Sequence, residues 1–175
     1  RAAVATRHPT QVRDPELLAE LAAGERYSVT ELERYGDCSS MWFVDRVLSF
    51  VDVAAIRPLR VVIDAANGMA GAMLPPLLER LPMLDVVRCY FEPDGSFPNH
   101  EPNPLLPENR EFIIRKTREE GADFGVAFDG DADRCFFVDD TGDFVPGDFT
   151  TALFAQAMLA REPGAKIIYD VRASW

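Results

Sequence analysis

The sequence predicts an α/β protein: a three-layer α/β/α domain with a mostly parallel mixed sheet, preceded by a helical N-terminal segment. Three observations carry this expectation. From Leu59 onward, short runs rich in valine, isoleucine and phenylalanine alternate with segments of helical periodicity. Glycine, proline, asparagine and aspartate punctuate the junctions between them. The residues before Leu59 show helical spacing only. Strands that alternate with helices imply a mostly parallel sheet covered on both faces.

Taken in order, Asp14 is a good N-cap with Pro15 at the first helical position, and PELLAELAAG closes at Gly24, where a helix would stop. From Ser28, with Glu31 completing a capping box, the pattern Leu32, Tyr35, Trp42, Phe43, Val44, Val47, Leu48, Val51 predicts helix interrupted near Gly36 to Ser39. LRVVIDA reads as the first strand, followed by a loop at Asn67 to Gly71, an apolar helix through Leu81, and LDVVRCYF as the second strand. EFIIRKTREEG is helical. Strands follow at Asp123 to Ala127 and Arg134 to Val138, then a turn at Asp140 to Gly142, a helix over roughly Gly147 to Ala160, and KIIYD as a last strand. The segment Asp139 to Asp148 is too tight for a crossover, so one antiparallel hairpin is expected there.

Composition sets bounds on function. With 47% hydrophobic and 27% charged residues over 175 positions, the chain has ordinary globular values and ample material for a core. A net charge of −11 would repel a nucleic-acid backbone outside a local basic pocket, so any phosphate handled here is expected to be small. No apolar run approaches a membrane span and Arg1 to Thr10 has no apolar signal core, which gives neither membrane nor nucleic acid as a partner and the cytoplasm as the expected location. Cys38, Cys89 and Cys135 are odd in number and widely spaced, which suits reduced packing residues better than a disulfide framework or a zinc site. His8 and His100 have no ligand-spaced partner that would suggest zinc.

The chemistry concentrates in FGVAFDGDADRCFFV, residues 124 to 138. Asp129, Asp131 and Asp133 occupy alternate positions between two apolar runs, and Arg134 follows at once. Two carboxylates about 4 Å apart repel by roughly 4 kcal/mol at an effective dielectric near 20, so three converging on one point require a cation. Gly130 and Ala132 are spacers small enough for a tight fold. An all-carboxylate set on a short loop leaves room for water and a phosphate oxygen, which favours Mg²⁺. Arg134 is placed to bring positive charge and a planar fork of donors to a phosphate. A plain polar turn would account for one or two of the aspartates, not three in alternation. An EF-hand loop would put Asp129, Asp131, Asp133 and Asp140 at positions 1, 3, 5 and 12, but Arg134 stands where glycine is needed and the flanks read as strands.

Two further segments carry weaker signals. Asn67-Gly68-Met69-Ala70-Gly71 has neither dinucleotide-fingerprint spacing nor a P-loop lysine, and reads more readily as a tight strand-to-helix turn than as a phosphate site. EPDGSFPNHEPNPLLP, residues 92 to 107, is a proline-stiffened loop too long for an ordinary connector, and neither His100 nor Asn103 within it is expected to be catalytic.

Together these motifs resemble the α-D-phosphohexomutases, and most closely the bacterial phosphomannomutase/phosphoglucomutase branch. The resemblance rests on DGDADR at Asp129 to Arg134, VVIDAANGMAG at Val61 to Gly71, PDGSFPNHEPNPL at Pro93 to Leu105, and their order and spacing, and it covers roughly Val44 to Trp175. It implies the family's second, metal-binding α/β/α domain over 44–162 and the first strand of a truncated third domain over 163–175, and leaves residues 1–43 as an unassigned helical lead-in or linker. It further implies that Asp129, Asp131 and Asp133 bind Mg²⁺, that Arg134 steadies a serine-bound phosphate, and that Arg172 lies near the sugar phosphate. None of Ser28, Ser39, Ser40, Ser49, Ser96 and Ser174 stands in the Ser-His-Asn-Pro context of the family's nucleophile.

The implied reaction interconverts hexose 6-phosphate and hexose 1-phosphate, with mannose or glucose as the sugar, through phosphoserine and a bisphosphate intermediate. The expected partners are those hexose phosphates and the remaining domains of a parent enzyme, of which this chain is a fragment supplying the metal loop and inactive alone. Two other readings stand beside it. VAFDGD is also the opening of a Mg-dependent phosphatase with an aspartyl nucleophile, and the isolated domain could be a non-catalytic binding module.

Overall fold

A computed structural model describes residues 39–168. The helices expected between Asp14 and Tyr35 and the position Arg172 lie outside the described residues. The chain divides into two compact units, residues 1–49 and 50–175. In the first, helix α1 spans Ser39–Leu48 and buries Val44, the helical continuation expected from the apolar spacing around Val44 and Leu48.

The second unit opens with a short 3₁₀ turn, Val53–Ala55, whose Ala54 N–H is capped by the Asp52 carboxylate at 3.1 Å. Its sheet contains β1 (Leu59–Asp64), β2 (Leu84–Cys89), β3 (Phe124–Phe128), β4 (Cys135–Asp139) and β5 (Phe144–Val145), in the order β2-β1-β3-β4-β5. β1 runs parallel to both neighbours, with Asp64 opposite Cys89 on one side and Ala127 on the other. As an interior strand, β1 buries Val61 to Asp64, whereas the edge strand β2 keeps exposed charges at Asp85 and Arg88.

The β3–β4 and β4–β5 pairs are antiparallel. The second is the hairpin expected between Asp139 and Asp148. The first was not expected: the acidic segment is itself a hairpin loop, because the six residues 129–134 are too few for a crossover and can only return the chain alongside β3.

Helices complete the three layers. Ile113 and its neighbours Phe112 and Ile114 on α3 (Glu111–Glu120) pack with Val62, Cys89, Ala127 and Val138 on one face of the sheet. On the other face, Leu74 and Leu78 of α2 (Ala70–Leu78) pack with Val61, Ile63 and Val126. The division follows from strand alternation, which sends Val62 one way and Val61 and Ile63 the other. Against β3, α3 comes so close that a Cβ on Gly125 would lie 2.2 Å from the Thr117 hydroxyl. Gly121, at φ 56°, ends α3 in the left-handed conformation, with Ala122 N–H reaching back to the Thr117 carbonyl.

Two elements differ from expectation. α2 stops at Leu78 rather than Leu81, where the chain passes into tighter turns, with Arg80 N–H on the Leu77 carbonyl and Leu81 N–H on the Leu78 carbonyl. The last strand expected at KIIYD is not formed over residues 166–168. No strand among the described residues pairs with it, and Ile168 is 96% exposed. The helix expected near Gly147 is present as α4 (Gly147–Arg161), but none of its residues is buried. No described helix is long and apolar enough to cross a membrane.

Candidate metal centre

The acidic loop leaves the carboxyl end of β3, on the same side of the sheet as the carboxyl end of β1. Asp129 is fully buried and Asp131 and Asp133 are exposed, yet one carboxylate oxygen from each lies within 4.8 Å of the others. The backbone achieves this by a tight turn: Ala132 sits at φ 61° and donates its N–H to the Asp129 carbonyl at 3.2 Å. That conformation is uncommon for a residue with a Cβ.

Arg134 folds back on the loop. Its backbone N–H donates to Asp129 Oδ1 at 3.1 Å and its Nε to Asp129 Oδ2 at 2.5 Å, with Asp133 Oδ1 at 3.4 Å. Asp129, through this hydrogen bond and its charge, raises the guanidinium pKa further above its ordinary value. The side chain stays 49% exposed, so its first task in this structure is to hold Asp129 at the mouth of the loop. Desolvation and the Asp129 charge together push the Cys135 thiol up, which favours the neutral thiol; Cys135 is exposed, not the packing residue expected from its apolar surroundings in sequence. Three convergent carboxylates form a hard, anionic oxygen set with exposed coordination space, and the residues present fit Mg²⁺.

The turn after β1 belongs to the same site. Met69 N–H donates to the Gly130 carbonyl at 3.0 Å, and a Cβ on Gly68 would fall 2.6 Å from that oxygen. The glycine of Asn67-Gly68 is therefore required by the close approach of two backbones, in keeping with a tight turn. Asn67, at φ 56°, ties this turn to the proline-rich loop: its Nδ2 donates to the Glu92 carbonyl at 2.8 Å and its Oδ1 accepts from Asn99 Nδ2 at 2.7 Å.

His100 has the partner that its sequence neighbourhood did not reveal. Its Nε2 meets Oδ2 of the buried Asp64 at 2.9 Å and its Nδ1 faces the Glu101 carbonyl at 3.0 Å. The Asp64 hydrogen bond raises the imidazole pKa above its ordinary value, against the opposing effect of burial. Tyr90 packs edge-on to the ring, with Phe112 beyond it. Asp64, Asn67 and Asn99 were the residues that sequence reasoning passed over. The signal available was a carboxylate ending the Val-Val-Ile run of an interior strand, which must find a partner when buried.

Fold and site together define a three-layer α/β domain carrying a candidate divalent-cation loop at the carboxyl end of its parallel strands. Residues 42–142 match the family model of the phosphoglucomutase/phosphomannomutase α/β/α domain II. The chain belongs to the phosphoglucomutase/phosphomannomutase family. It is 43% identical over 164 residues to a phosphohexose mutase of Xanthomonas campestris, covering 94% of this chain and 36% of the relative. A phosphomannomutase of Vibrio cholerae is 45% identical over 138 residues, covering 76% of this chain and 30% of the relative. The crystal structure of a phosphoglucomutase/phosphomannomutase family protein from Burkholderia thailandensis superposes with a TM-score of 0.67 at 40% identity, over 76% of this chain and 28% of that one. The chain thus spans about a third of the length of the curated relatives it matches.

Proposed function

We propose that this chain is the metal-carrying part of a phosphomannomutase/phosphoglucomutase. The observation that carries the reading is the convergence of Asp129, Asp131 and Asp133 within 4.8 Å, with Arg134 locked to the buried member. Membership of the family and the names of its relatives support the reaction class. The substrates are mannose or glucose 6-phosphate and the corresponding 1-phosphates. A phosphoserine supplied by another part of the enzyme gives its phosphoryl group to the free sugar hydroxyl, forming a bisphosphate, and the other phosphate then returns to the serine.

Phosphoryl transfer of this kind depends on positioning and on neutralising the negative charge of the phosphoryl oxygens. Asp129, Asp131 and Asp133 would hold Mg²⁺, which when bound supplies that neutralisation. Arg134 orients Asp129 through Nε, and its half-exposed guanidinium adds positive charge beside an incoming phosphate. Three carboxylates exceed the charge of one divalent ion by one, so this arginine brings the loop to balance. The proposed working location is the cytoplasm, where sugar phosphates are metabolised.

The test is mutase activity of the full-length product on mannose 6-phosphate and glucose 6-phosphate with Mg²⁺, with and without Asp131→Asn. Conversion to the 1-phosphate that is lost in the variant supports the reading and ranks the two sugars. An intact protein that converts neither sugar but hydrolyses a simple phosphate ester would replace it with a phosphatase.

A further inference from the structure

We infer that Asn67, Asn99 and His100 are positioning residues for the acidic loop, joining the turn after β1 and the proline-rich loop into a clamp whose two jaws close on Gly130. The inference rests on the metal reading of that loop. Gly130 lies between Asp129 and Asp131, so any displacement of its backbone moves two of the three carboxylates at once.

One jaw is the Gly68-Met69 turn, seated on the Gly130 carbonyl by the 3.0 Å bond from Met69 N–H. The other is the proline-rich loop: a Cβ on Gly130 would lie 3.3 Å from Pro102 Cγ and 3.4 Å from Phe97 Cζ. The jaws are fastened to each other at two points. At the first, Asn67 makes four hydrogen bonds: its N–H donates to the Tyr90 carbonyl and its carbonyl accepts from Asp94 N–H, both at 2.8 Å, while its side chain bonds Glu92 and Asn99. A carbonyl can only accept, so the Glu92 contact fixes which end of the Asn67 amide is nitrogen and leaves Oδ1 to receive Asn99. At the second, His100 crosses from the proline-rich loop to the last residue of β1, and its two ring nitrogens face a carboxylate and a carbonyl.

The clamp gives the long loop a purpose that proline stiffness alone leaves open. Metal sites need their ligands held to within roughly half an ångström, and the groups that orient the ligands typically contribute about 10- to 100-fold in metal affinity.

The experiment is a Mn²⁺ titration of the 175-residue chain by electron paramagnetic resonance, with Mg²⁺ as competitor, on wild type, Asn99→Ala, His100→Ala and His100→Gln, each checked for fold by circular dichroism. Asn99 is exposed, so its truncation leaves the core intact and decides the question even if His100→Ala does not fold. The expected result is Mn²⁺ affinity weakened roughly 10- to 100-fold in the two alanine variants, and largely restored in His100→Gln, whose amide can still donate to Asp64. A merely structural role would lower the melting temperature without changing the affinity of the folded chain. Folded Asn99→Ala with wild-type affinity overturns the clamp and leaves the metal reading standing. Wild type that binds no Mn²⁺ overturns the metal reading, and the clamp with it.

Discussion

His100 Nε2 and Asp64 Oδ2 stand 2.9 Å apart, joining a loop rich in proline to the buried end of β1. The other ring nitrogen faces the Glu101 carbonyl, so both nitrogens are offered acceptors, and only the imidazolium, with two N–H donors, satisfies both. The same carboxylate reaches further groups. Its charge adds to burial in raising the Tyr90 hydroxyl and in pushing the Cys89 thiol up to about 11, which keeps both neutral across the physiological range.

The pH dependence of stability follows from this pair. The folded pKa of His100 is raised above the ordinary 6.5, so the contribution of the imidazolium is complete below that value and is lost as pH rises through the folded pKa. Urea denaturation with a chelator present, from about pH 6 to pH 9, is expected to show stability falling over that interval. In His100→Gln the curve flattens, because an amide does not titrate. An equally steep fall in the variant would assign the effect to another group.

Gly68 and Gly95 make a matched pair. A Cβ on Gly68 would lie 2.6 Å from the Gly130 carbonyl, which is backbone and cannot swing aside, whereas a Cβ on Gly95 meets nothing within 4 Å. Gly68→Ala is therefore expected to cost about 1–3 kcal/mol of overpacking, and to weaken metal binding by displacing the loop. Gly95→Ala should stay within roughly 0.5 kcal/mol of wild type. Chemical denaturation of the two variants side by side checks this.

Much of this architecture was legible in the residues, and the parts that were not share a cause. Strands β1 to β4 and helices α2 and α3 announce themselves by local periodicity, and the Asp129, Asp131, Asp133 cluster by spacing alone, since alternation on a short loop is a local property. What escaped reading depends on contacts distant in sequence. The bond between His100 and Asp64 spans 36 positions, and that between Asn99 and Asn67 spans 32. Nothing near His100 in the chain hints that a buried carboxylate waits for it. Arg134 shows the same limit on a smaller scale: its presence beside the aspartates was plain, but its grip on Asp129 through both backbone and side chain emerges only once the hairpin closes. The β3–β4 hairpin is the exception: it went unread although six residues cannot make a crossover and the loop length alone implied it.

Asp129 and Asp131 are expected to separate stability from metal binding. Asp129 is buried and accepts two bonds from Arg134, so Asp129→Ala removes both of these bonds as well as a carboxylate proposed to hold the metal. Asp131 is exposed, and its contribution is to the charge cluster alone. With a chelator present, Asp131→Asn should melt at or slightly above the wild-type temperature, since one repelling charge is gone, while Asp129→Ala melts lower. In Mn²⁺ titrations both variants lose affinity. An Asp131→Asn variant that binds Mn²⁺ as wild type does would remove this residue from the ligand set.

The acid side of the stability curve is expected to depend on Asp139 at the turn between β4 and β5. Its Oδ1 accepts Thr141 N–H at 3.0 Å, the Thr141 hydroxyl at 2.7 Å and Asp143 N–H at 2.8 Å. These bonds, that from Asp143 first, hold its pKa below the ordinary 3.8. A depressed folded pKa means that the contribution is present above 3.8 and is lost as pH falls through the folded value, opposite in sense to His100. Because the turn is exposed, the effect is local fraying of the hairpin rather than global unfolding. Amide hydrogen exchange should therefore show Thr141 and Asp143 losing protection in acid while β1 keeps its own. Asp139→Asn, which retains an acceptor oxygen but not the charge, should remove most of the pH dependence of that protection, and Asp139→Ala should leave these amides fast at every pH. Protection in Asp139→Ala equal to wild type would show that Arg118, which donates to the Thr141 and Gly142 carbonyls, suffices to hold the turn.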